Sequence, residues 1–507
     1  DMTKAAERIL HAAKTNEKVA IFADYDVDGG CSAALLIDWF RFFSIECTLY
    51  VPDRIKEGFG PNIKALKLLE STHSLIICVD CGTLSHEAIE SLDASDLIVL
   101  DHHLASEMLP RCYAVVNPNR QDELGDLSHL CAAAVVFLCL VEMRRLLRLN
   151  AGKSPNLLDM LDLVALATVA DVAPLVGVNR AFVRQGLKIL SNRKRIGLAA
   201  LSDQVKIDQE LSAYHLGFLL GPRLNAGGRI GKSDLGAKLL ISRDLEAAKA
   251  MAERLDQLNY ERRELEKQIK EAALEQAIHQ KSMDSLAWAA GDSWHPGVVG
   301  IVASRLKEAT NLPSIVIGFE GLIGKGSGRS ISGVDLGFAI QKLVNEGLLL
   351  TGGGHKMAVG LSVQRKNLER AMYRLNEIIE QQGASIDSSP KVNIDALLLP
   401  SAATSELVEL LNSAGPYGPG AKAPTFVFAN MQINFFKRIG TSHLRIKFGD
   451  DSGSLDAICF NAFDTEIGPA LEEHDGRSIH LCGKLDINQW RGQRNVQLRI
   501  EDAQYVI

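Results

Sequence analysis

Lys18-Val19-Ala20-Ile21-Phe22-Ala23-Asp24-Tyr25-Asp26-Val27-Asp28-Gly29 is the stretch on which the fold turns. Its apolar half is short and β-branched or aromatic, the signature of a fully buried strand, and an apolar helical segment follows from about Cys31 to Phe43. Further along, Cys47–Val51, Leu75–Val79 and Leu97–Leu100 read as strands, with helical stretches at Ile63–Leu69 and Ser85–Leu92. Strands alternating with helices at this spacing predict βαβ units and a parallel sheet. Ligands of such sheets bind beyond the carboxyl ends of the strands. The polar clusters of this chain fall at those ends.

Three carboxylates at Asp24, Asp26 and Asp28 repel one another unless a cation neutralises them. A solvated acidic turn is the plain alternative for this motif alone. A calcium loop also begins D-x-D-x-D-G, but the position of its bidentate Glu is occupied by Leu35 and the preceding element is a strand. Two more clusters weigh against a solvated turn: Asp80 directly follows one apolar strand, and Asp101-His102-His103 follows another. A set of carboxylates and imidazoles converging on one sheet edge suits Mn²⁺ or Mg²⁺, as two ions sharing a carboxylate. Asp171 ends the apolar stretch Leu157–Ala170, and by pattern alone it reads more readily as a helix cap than as a ligand.

The remaining chain is organised around these clusters. Residues 131–190 read as mainly helical, and an Ala- and Glu-rich helix without Gly or Pro runs from about Asp244 to Ile278 as a connector of about 50 Å. A second α/β unit follows, with strands at Leu286–Ala290 and Ser314–Phe319 and a helix at Gly297–Lys307. Pro222–Arg229, Gly324–Gly328 and Gly352–Gly354 read as Gly-rich turns, and Gly415–Pro424 as a linker or ordered turn. Phe426–Ile433, Leu444–Phe448, Ser454–Cys459, Ser478–Leu485 and Asn495–Ile500 read as short strands of a small barrel, with the OB-fold as the candidate. Gly231-Lys232-Ser233 imitates a phosphate-binding loop, but Ala226 stands where that motif requires Gly.

Composition bounds the class. A chain of 507 residues with 47% hydrophobic and 23% charged residues is an ordinary globular protein of about three domains. No apolar run reaches the roughly 18 residues that span a bilayer, and no signal-peptide order is present, so no membrane association is expected. The chain starts at Asp1 rather than Met, so upstream residues are expected to be missing. Nine scattered cysteines, an odd number, predict reduced thiols in the cytoplasm, and Cys78/Cys81 lack a second pair at zinc spacing. The net charge of −7 decides nothing about nucleic acid, because phosphate binding follows the local field.

D-Y-D-V-D-G, V-D-C-G, D-H-H and L-V-A-L-A-T-V-A-D-V-A-P-L resemble the motifs of the DHH phosphoesterase superfamily, in its RecJ branch. The resemblance covers nearly the whole chain from about residue 17. It implies that Asp26, Asp28, Asp80, His102 and Asp171 hold two divalent ions, Mn²⁺ or Mg²⁺, with Asp80 as the bridge. It makes Asp24 an accessory acid, has Asp101 orient a histidine, and turns His103 toward the scissile phosphate. Gly352-Gly353-Gly354-His355 resembles the motif of the DHHA1 substrate domain, which brings in Gly353, Gly354 and His355. The segments around Asn225, Arg229, Ser327 and Arg329 resemble those lining the nucleic-acid path, with Arg229, Ser327 and Arg329 gripping a 5′-terminal phosphate.

The fold so implied is α/β: a parallel-sheet catalytic domain over residues 1–240, a long connector helix over 241–285, a second α/β domain over 286–385, and a linker with an OB-fold barrel over 386–507. The function implied is 5′→3′ hydrolysis of single-stranded DNA to 5′-mononucleotides, in recombination and repair. Single-stranded DNA with a 5′ phosphate, a single-strand-binding protein and a RecQ-type helicase are the implied partners of a monomer. Lys437, Arg438, Arg445, Lys447, Trp490, Arg491 and Arg494 are candidates for the barrel's DNA groove, although strand Lys and Arg are often merely solvated. The alternatives are a small-molecule phosphoesterase acting on oligonucleotides or cyclic dinucleotides, and an inactive single-strand-binding scaffold. The chain departs from the family at Gly30-Cys31, at Cys131–Ala134, which lacks an expected glycine, and at Ala167. No ligand position is affected.

Overall fold

The computed structural model describes residues 1–149, 152–279, 285–383, 392–490 and 493–506. They form two compact units, one comprising residues 1–173 and 181–388, the other 174–180 and 389–507. The 385/386 boundary expected between domains lies outside the described residues.

The first sheet is parallel throughout, in the order β2-β1-β3-β4-β5. Its strands are β1 (Val19–Ala23), β2 (Thr48–Tyr50), β3 (Leu75–Val79), β4 (Asp96–Leu100) and β5 (Ala114–Val116). β1 and β3 are buried end to end, which is why they read as unbroken apolar runs rather than alternating ones. Helices α1 (Met2–Thr15), α2 (Val27–Phe42), α3 (Ile63–Glu70), α4 (His86–Glu90), α5 (Ala132–Leu149) and α6 (Leu161–Ala170) surround it. Ala20, Phe22, Ile76, Cys78, Leu97 and Val99 pack one face against Leu66 and Leu69 of α3 and Ile89 of α4. Each large apolar side chain among them contributes about 1.5–3 kcal/mol when fully buried. Every cysteine is free, including Cys78 and Cys81.

Helices α7 (Gly177–Ser191) and α8 (Ile196–Gln204) follow, then a π-helical turn, His215–Leu220, which runs directly into α9 (Gly221–Ile230) and is followed by α10 (Leu235–Leu240). α11 (Leu245–His279) has 35 residues, about 50 Å at 1.5 Å each. Its Ala248, Ala252, Leu255 and Leu258 are buried along one stripe, and further along Ile269 and Ala273 enter the core of the second sheet.

That second sheet has the order β6-β7-β8-β10-β9, with β6 (Ala287–Asp292), β7 (Ser314–Glu320), β8 (Ile323–Arg329), β9 (Thr351–His355) and β10 (Ala358–Gln364). Only β6 and β7 run parallel. α12 (Pro296–Thr310) packs with α11 on one face, and α13 (Leu336–Asn345) and α14 (Leu368–Gln381) on the other.

The three glycine-rich segments expected as turns are not turns. Residues 222–229 lie in α9, 324–328 in β8 and 352–354 in β9. The strand glycines make room for cross-strand neighbours: a Cβ on Gly326 would stand 2.8 Å from Ile317 and 3.1 Å from Leu361.

The second unit is a closed barrel in the order β12-β13-β14-β16-β15, with β15 returning to β12, and with β11 (Ala396–Leu397) at the edge. Its strands are β12 (Phe426–Ile439), β13 (His443–Asp450), β14 (Gly453–Cys459), β15 (Ile479–Trp490) and β16 (Gln493–Tyr505). Helices α15 (Ser405–Ala414) and α16 (Ile467–Glu472) accompany it. This five-stranded closure, with β14 and β16 parallel, is the OB arrangement. The segment Gly415–Pro424 is an ordered loop whose Pro419 carbonyl accepts from Leu175 N–H at 2.7 Å. Among the described residues no helix is long and apolar enough to cross a membrane.

Candidate metal centre and anion pocket

Four chain segments deliver the acidic cluster, three of them ends of parallel strands. After β1 the chain turns through Asp24–Asp28 into α2, where Asp26 is the N-cap and its Oδ1 accepts from the N–H groups of Asp28 (2.8 Å) and Gly29 (3.1 Å). The turn closes only over glycine, because a Cβ on Gly29 would stand 2.4 Å from the Asp24 carbonyl oxygen. The buried Asp28 carboxylate accepts from Ala132 N–H (2.7 Å) and Ala133 N–H (2.8 Å) at the start of α5.

After β3, Asp80 takes a left-handed backbone with φ of 60°, rare for a non-glycine residue. After β4, Asp101 is almost fully buried and accepts four bonds: from His102 N–H, His103 N–H and His103 Nδ1 on one oxygen, and from Thr83 N–H on the other. Asp171 caps the C-terminus of α6, and the next residue, Val172, is β-branched with φ of 60°. Such a conformation costs about 1–3 kcal/mol and persists only where the surroundings impose it.

His102 Nε2 lies 3.3 Å from Asp80, 3.7 Å from Asp28 and 3.9 Å from Asp171. Three overlapping sets, Asp80/His102/His103, Asp28/His102/Asp171 and Asp24/Asp26/Asp80, each bring their donor atoms within 4.8 Å. Burial, and then the neighbouring carboxylates, push Asp24 and Asp80 well above the usual carboxylate range, and push Asp171 up to about 8. Asp24 Oδ1 and Asp80 Oδ1 are buried and accept no hydrogen bond, the latter although His102 Nε2 stands 3.3 Å away outside hydrogen-bond geometry. Unpartnered acceptors in an over-acidic site of Asp and His are what hard divalent cations satisfy, so the residues fit a metal centre.

Asp101 is different in kind. Burial would raise its carboxyl, but the bond to His103 outweighs this and holds it below the usual range. His103, lowered by burial, is raised to about 9 by the same bond.

A second cluster is cationic. The Arg54 guanidinium lies over the Tyr25 ring at 4.9 Å. Burial, followed by the positive charge of Arg54, lowers Arg229 to about 10 and also lowers Arg329. Arg229 Nη1 donates to the Gly297 carbonyl (3.2 Å), and Arg329 Nη1 to the Gly328 carbonyl (2.8 Å). Over Gly300 of α12, Ser327 Oγ and Arg329 Nη2 stand 3.1 and 3.5 Å from where a Cβ would be. Two partly buried arginines, each lowered by burial and by the charge of Arg54, have no carboxylate within ion-pair distance among the described residues, a charge balance that suits an anion.

Asn225 Oδ1 accepts from Val27 N–H at 3.0 Å, so α9 braces the acidic turn. A Cβ on Gly228 would stand 2.6 Å from the Tyr25 carbonyl oxygen, which shows how closely the helix approaches. Gly353, Gly354 and His355 stand on β9, the edge strand of the second sheet. In the barrel, Arg438 pairs with Glu472, Arg445 with Asp456 (3.1 Å) and Arg494 with Glu409 (3.0 Å). Arg491 and the Trp490 side chain lie outside the described residues.

The sequence reading did not find Arg54, nor Phe59, whose half-exposed ring lies 5.2 Å from that of His103. The signal was available: both follow β2, at the same carboxyl edge as the other clusters.

The chain matches three families, described as "DHH family, N-terminal domain" over residues 18–168, "DHHA1 domain" over 281–381 and "RecJ OB domain" over 394–502. It is 36% identical to the single-stranded-DNA-specific exonuclease RecJ of Dickeya dadantii, over 99% of this chain and 90% of that protein. The crystal structure of RecJ from Thermus thermophilus in complex with Mn²⁺ is similar at a TM-score of 0.84 and 26% identity, over 99% of this chain and 71% of that one. The same protein in complex with Mg²⁺ gives 0.77 at 25% identity, over 99% and 70%.

Proposed function

The chain belongs to the RecJ branch of the DHH phosphoesterases, and from this premise we propose that it is a metal-dependent exonuclease that removes nucleotides from the 5′ end of single-stranded DNA. The observation that carries the proposal is the pair of buried oxygens on Asp24 and Asp80 that accept no hydrogen bond inside one Asp/His cluster. Asp26, Asp28, Asp80, His102 and Asp171 would hold the two divalent ions, Mn²⁺ or Mg²⁺, with Asp80 able to serve both and Asp24 as accessory acid. When bound, the ions supply an activated water and stabilise the phosphate oxygens during in-line displacement.

The protein's own residues set the geometry. Asp101 fixes the His103 ring through Nδ1 and leaves Nε2 free to face the scissile phosphate. Asn225 and Gly228 hold the acidic turn in place from α9. Arg229, Ser327 and Arg329, joined by Arg54, take the 5′ phosphate and thereby set the register of cleavage. Gly353, Gly354 and His355 offer a partly exposed edge strand to the backbone of the departing nucleotide. Single-strand preference would follow from a path between the two α/β parts too narrow for a duplex; the parts touch at Gly297, where a Cβ would stand 2.1 Å from the Arg229 carbonyl oxygen. The barrel holds the strand, which a small-molecule phosphoesterase would not need.

We assign the parts as residues 1–240 catalytic, 241–285 connector, 286–385 substrate-binding and 386–507 linker and barrel. A cytoplasmic monomer working with a single-strand-binding protein and a RecQ-type helicase completes the proposal, and co-purification tests those partners. The reaction itself is tested with single strands labelled at the 5′ or the 3′ end, with Mn²⁺ or with EDTA. Early release of 5′-labelled mononucleotide, abolished by EDTA, is expected. Early release of the 3′ label, or equal cutting of blunt duplex, contradicts the proposal.

A further inference from the structure

At the far ends of two helices that carry metal-cluster residues lies a cavity of about 220 Å³. α2 begins at the acidic turn, with Asp26 and Asp28, and lines the cavity with Asp38. α6 ends at Asp171 and lines it with Asp162. Residues 28–38 and 162–171 span about 15 and 14 Å at 1.5 Å per residue, so the cavity is separate from the metal centre.

Arg195, whose side chain is largely buried, ties those two helix ends together. Its Nε and Nη2 donate to the two Asp162 oxygens at 2.7 and 3.3 Å. Its Nη1 donates to Asp38 Oδ2 at 2.7 Å and to the Leu240 carbonyl at 3.2 Å. Burial opposes the guanidinium charge, but Asp162 and Asp38 outweigh it. One side chain thus bridges α2, α6 and the end of α10.

The rest of the lining divides into three kinds. Ile189, Leu190, Leu198, Leu211, Leu240 and Ile241 make it largely apolar. Two carboxylate oxygens are left over: Asp38 Oδ1 and Asp159 Oδ1 accept no hydrogen bond among the described residues. Arg41 and Lys194 stand 3.9 and 3.7 Å from them, beyond hydrogen-bond reach. The exposed lining residues, which mark the mouth, are cationic. Arg193 is already paired with Asp203, but Lys194 is mostly in solvent and Arg243 has no ion pair among the described residues.

Apolar walls, unused carboxylate oxygens within and cations at the mouth suit a small molecule with a flat ring, amino hydrogens and a phosphate. We propose that this cavity binds one nucleoside monophosphate with an amino-bearing base, and that its occupancy slows cleavage at the metal centre. The ring lies among the aliphatic side chains, the amino group donates to Asp38 or Asp159, and the phosphate meets Lys194 and Arg243. Coupling runs through the Arg195 bridge. A ligand that draws on Asp38 weakens the tie between α2 and α6, whose other ends place Asp26, Asp28 and Asp171. The inference rests on the proposed function, which releases such mononucleotides, so binding and cleavage are measured separately.

The experiment titrates 5′-dAMP into the protein by calorimetry, in EDTA and with saturating 5′-phosphorylated single strand, so that the cleavage site is filled and nothing is cut. Inorganic phosphate is titrated in parallel. The variant carries Lys194→Glu and Arg243→Glu, both on exposed side chains, and its melting temperature checks the fold. About one equivalent of 5′-dAMP is expected to bind beside the strand, far more tightly than phosphate, and the variant should bind it roughly 10-fold or more weakly. In Mn²⁺, added 5′-dAMP should lower kcat of the unaltered protein without raising KM. The variant should cut as fast as the unaltered protein and resist that inhibition. No 5′-dAMP uptake beside the strand, equal binding of phosphate, undiminished binding in the variant, or a rise in KM alone overturns the proposal. A protein that takes up 5′-dAMP beside a bound strand but cuts none would overturn the exonuclease reading and leave the cavity's ligand standing.

Discussion

Asp101 accepts four hydrogen bonds within a site where Asp24 and Asp80 each keep an oxygen that accepts none. Neighbouring carboxylates thus divide into one whose hydrogen bonds fix a histidine and two whose unpartnered oxygens suit a cation. Replacing Asp101 by Asn introduces a donor among donors. Its expected effect is a loss of about 2 kcal/mol of stability and a fall in kcat larger than any rise in KM, measured by thermal melts and steady-state kinetics. A variant with unaltered kcat would remove the orienting role. At the anion pocket, Arg54→Ala should raise KM for 5′-phosphorylated strands by roughly 10-fold or more and leave 5′-hydroxyl strands nearly unchanged, since a charged hydrogen bond contributes about 1.5–3 kcal/mol. Equal loss on both substrates would place Arg54 elsewhere on the strand. The acidic residues were legible in the sequence because most directly follow a buried strand, and a parallel sheet gathers those ends. Arg54 was not, because it lies in an irregular loop four residues beyond a three-residue strand, where neither period nor motif marks it.

At the scale of elements, α1 shows how the sheet is closed off from behind. Its buried Arg8 donates to Glu17 at 2.8 and 3.1 Å and to Asp96, at the start of β4, at 2.6 Å. Burial alone would raise the Glu17 carboxyl, but Arg8 and Ser74 outweigh it and hold the group at about 2. The folded pKa lies below the unfolded one, so this stabilisation is complete above the ordinary carboxylate range and vanishes as pH falls through about 2. Arg8→Ala should cost roughly 2 kcal/mol near neutral pH and flatten the fall in stability between about pH 5 and 2, as read by denaturant titration across pH. An equally steep acid profile in the variant would assign the fall to other carboxylates. The strands of the parallel sheet were readable in sequence because burial on two faces leaves uninterrupted apolar runs. The glycine-rich segments misled for a physical reason: glycine breaks a regular element when it stands alone in water, but here close approach by Tyr25, Ile317 and Leu361 leaves no room for a Cβ, and the element continues through it. β5, three residues long, offered too little pattern to see.

For the whole molecule, the ordering of parallel sheet, long helix, second α/β part and small barrel was visible from periodicity and spacing. The pairing of barrel cations with Glu472, Asp456 and Glu409 was not, because it depends on tertiary neighbours and strand register that a linear sequence does not carry. The central claim is that the Asp/His cluster is held together by cations that the folded chain binds and the unfolded chain does not. Mn²⁺ at about 100 times its dissociation constant should therefore add about 2.7 kcal/mol per independent site to stability, reversed by EDTA. The most direct measurement counts bound Mn²⁺ by calorimetric titration in the unaltered protein and in Asp80→Asn, with the melting temperature of each recorded without metal. Two ions in the unaltered protein are predicted. In Asp80→Asn the prediction is loss of at least one ion, loss of nuclease activity, and a metal-free melting temperature no lower than before, because a buried carboxyl whose ionisation is opposed by burial and by its neighbours has been replaced by a neutral group. Full metal occupancy in Asp80→Asn, or retained cleavage of single strands, would contradict the account.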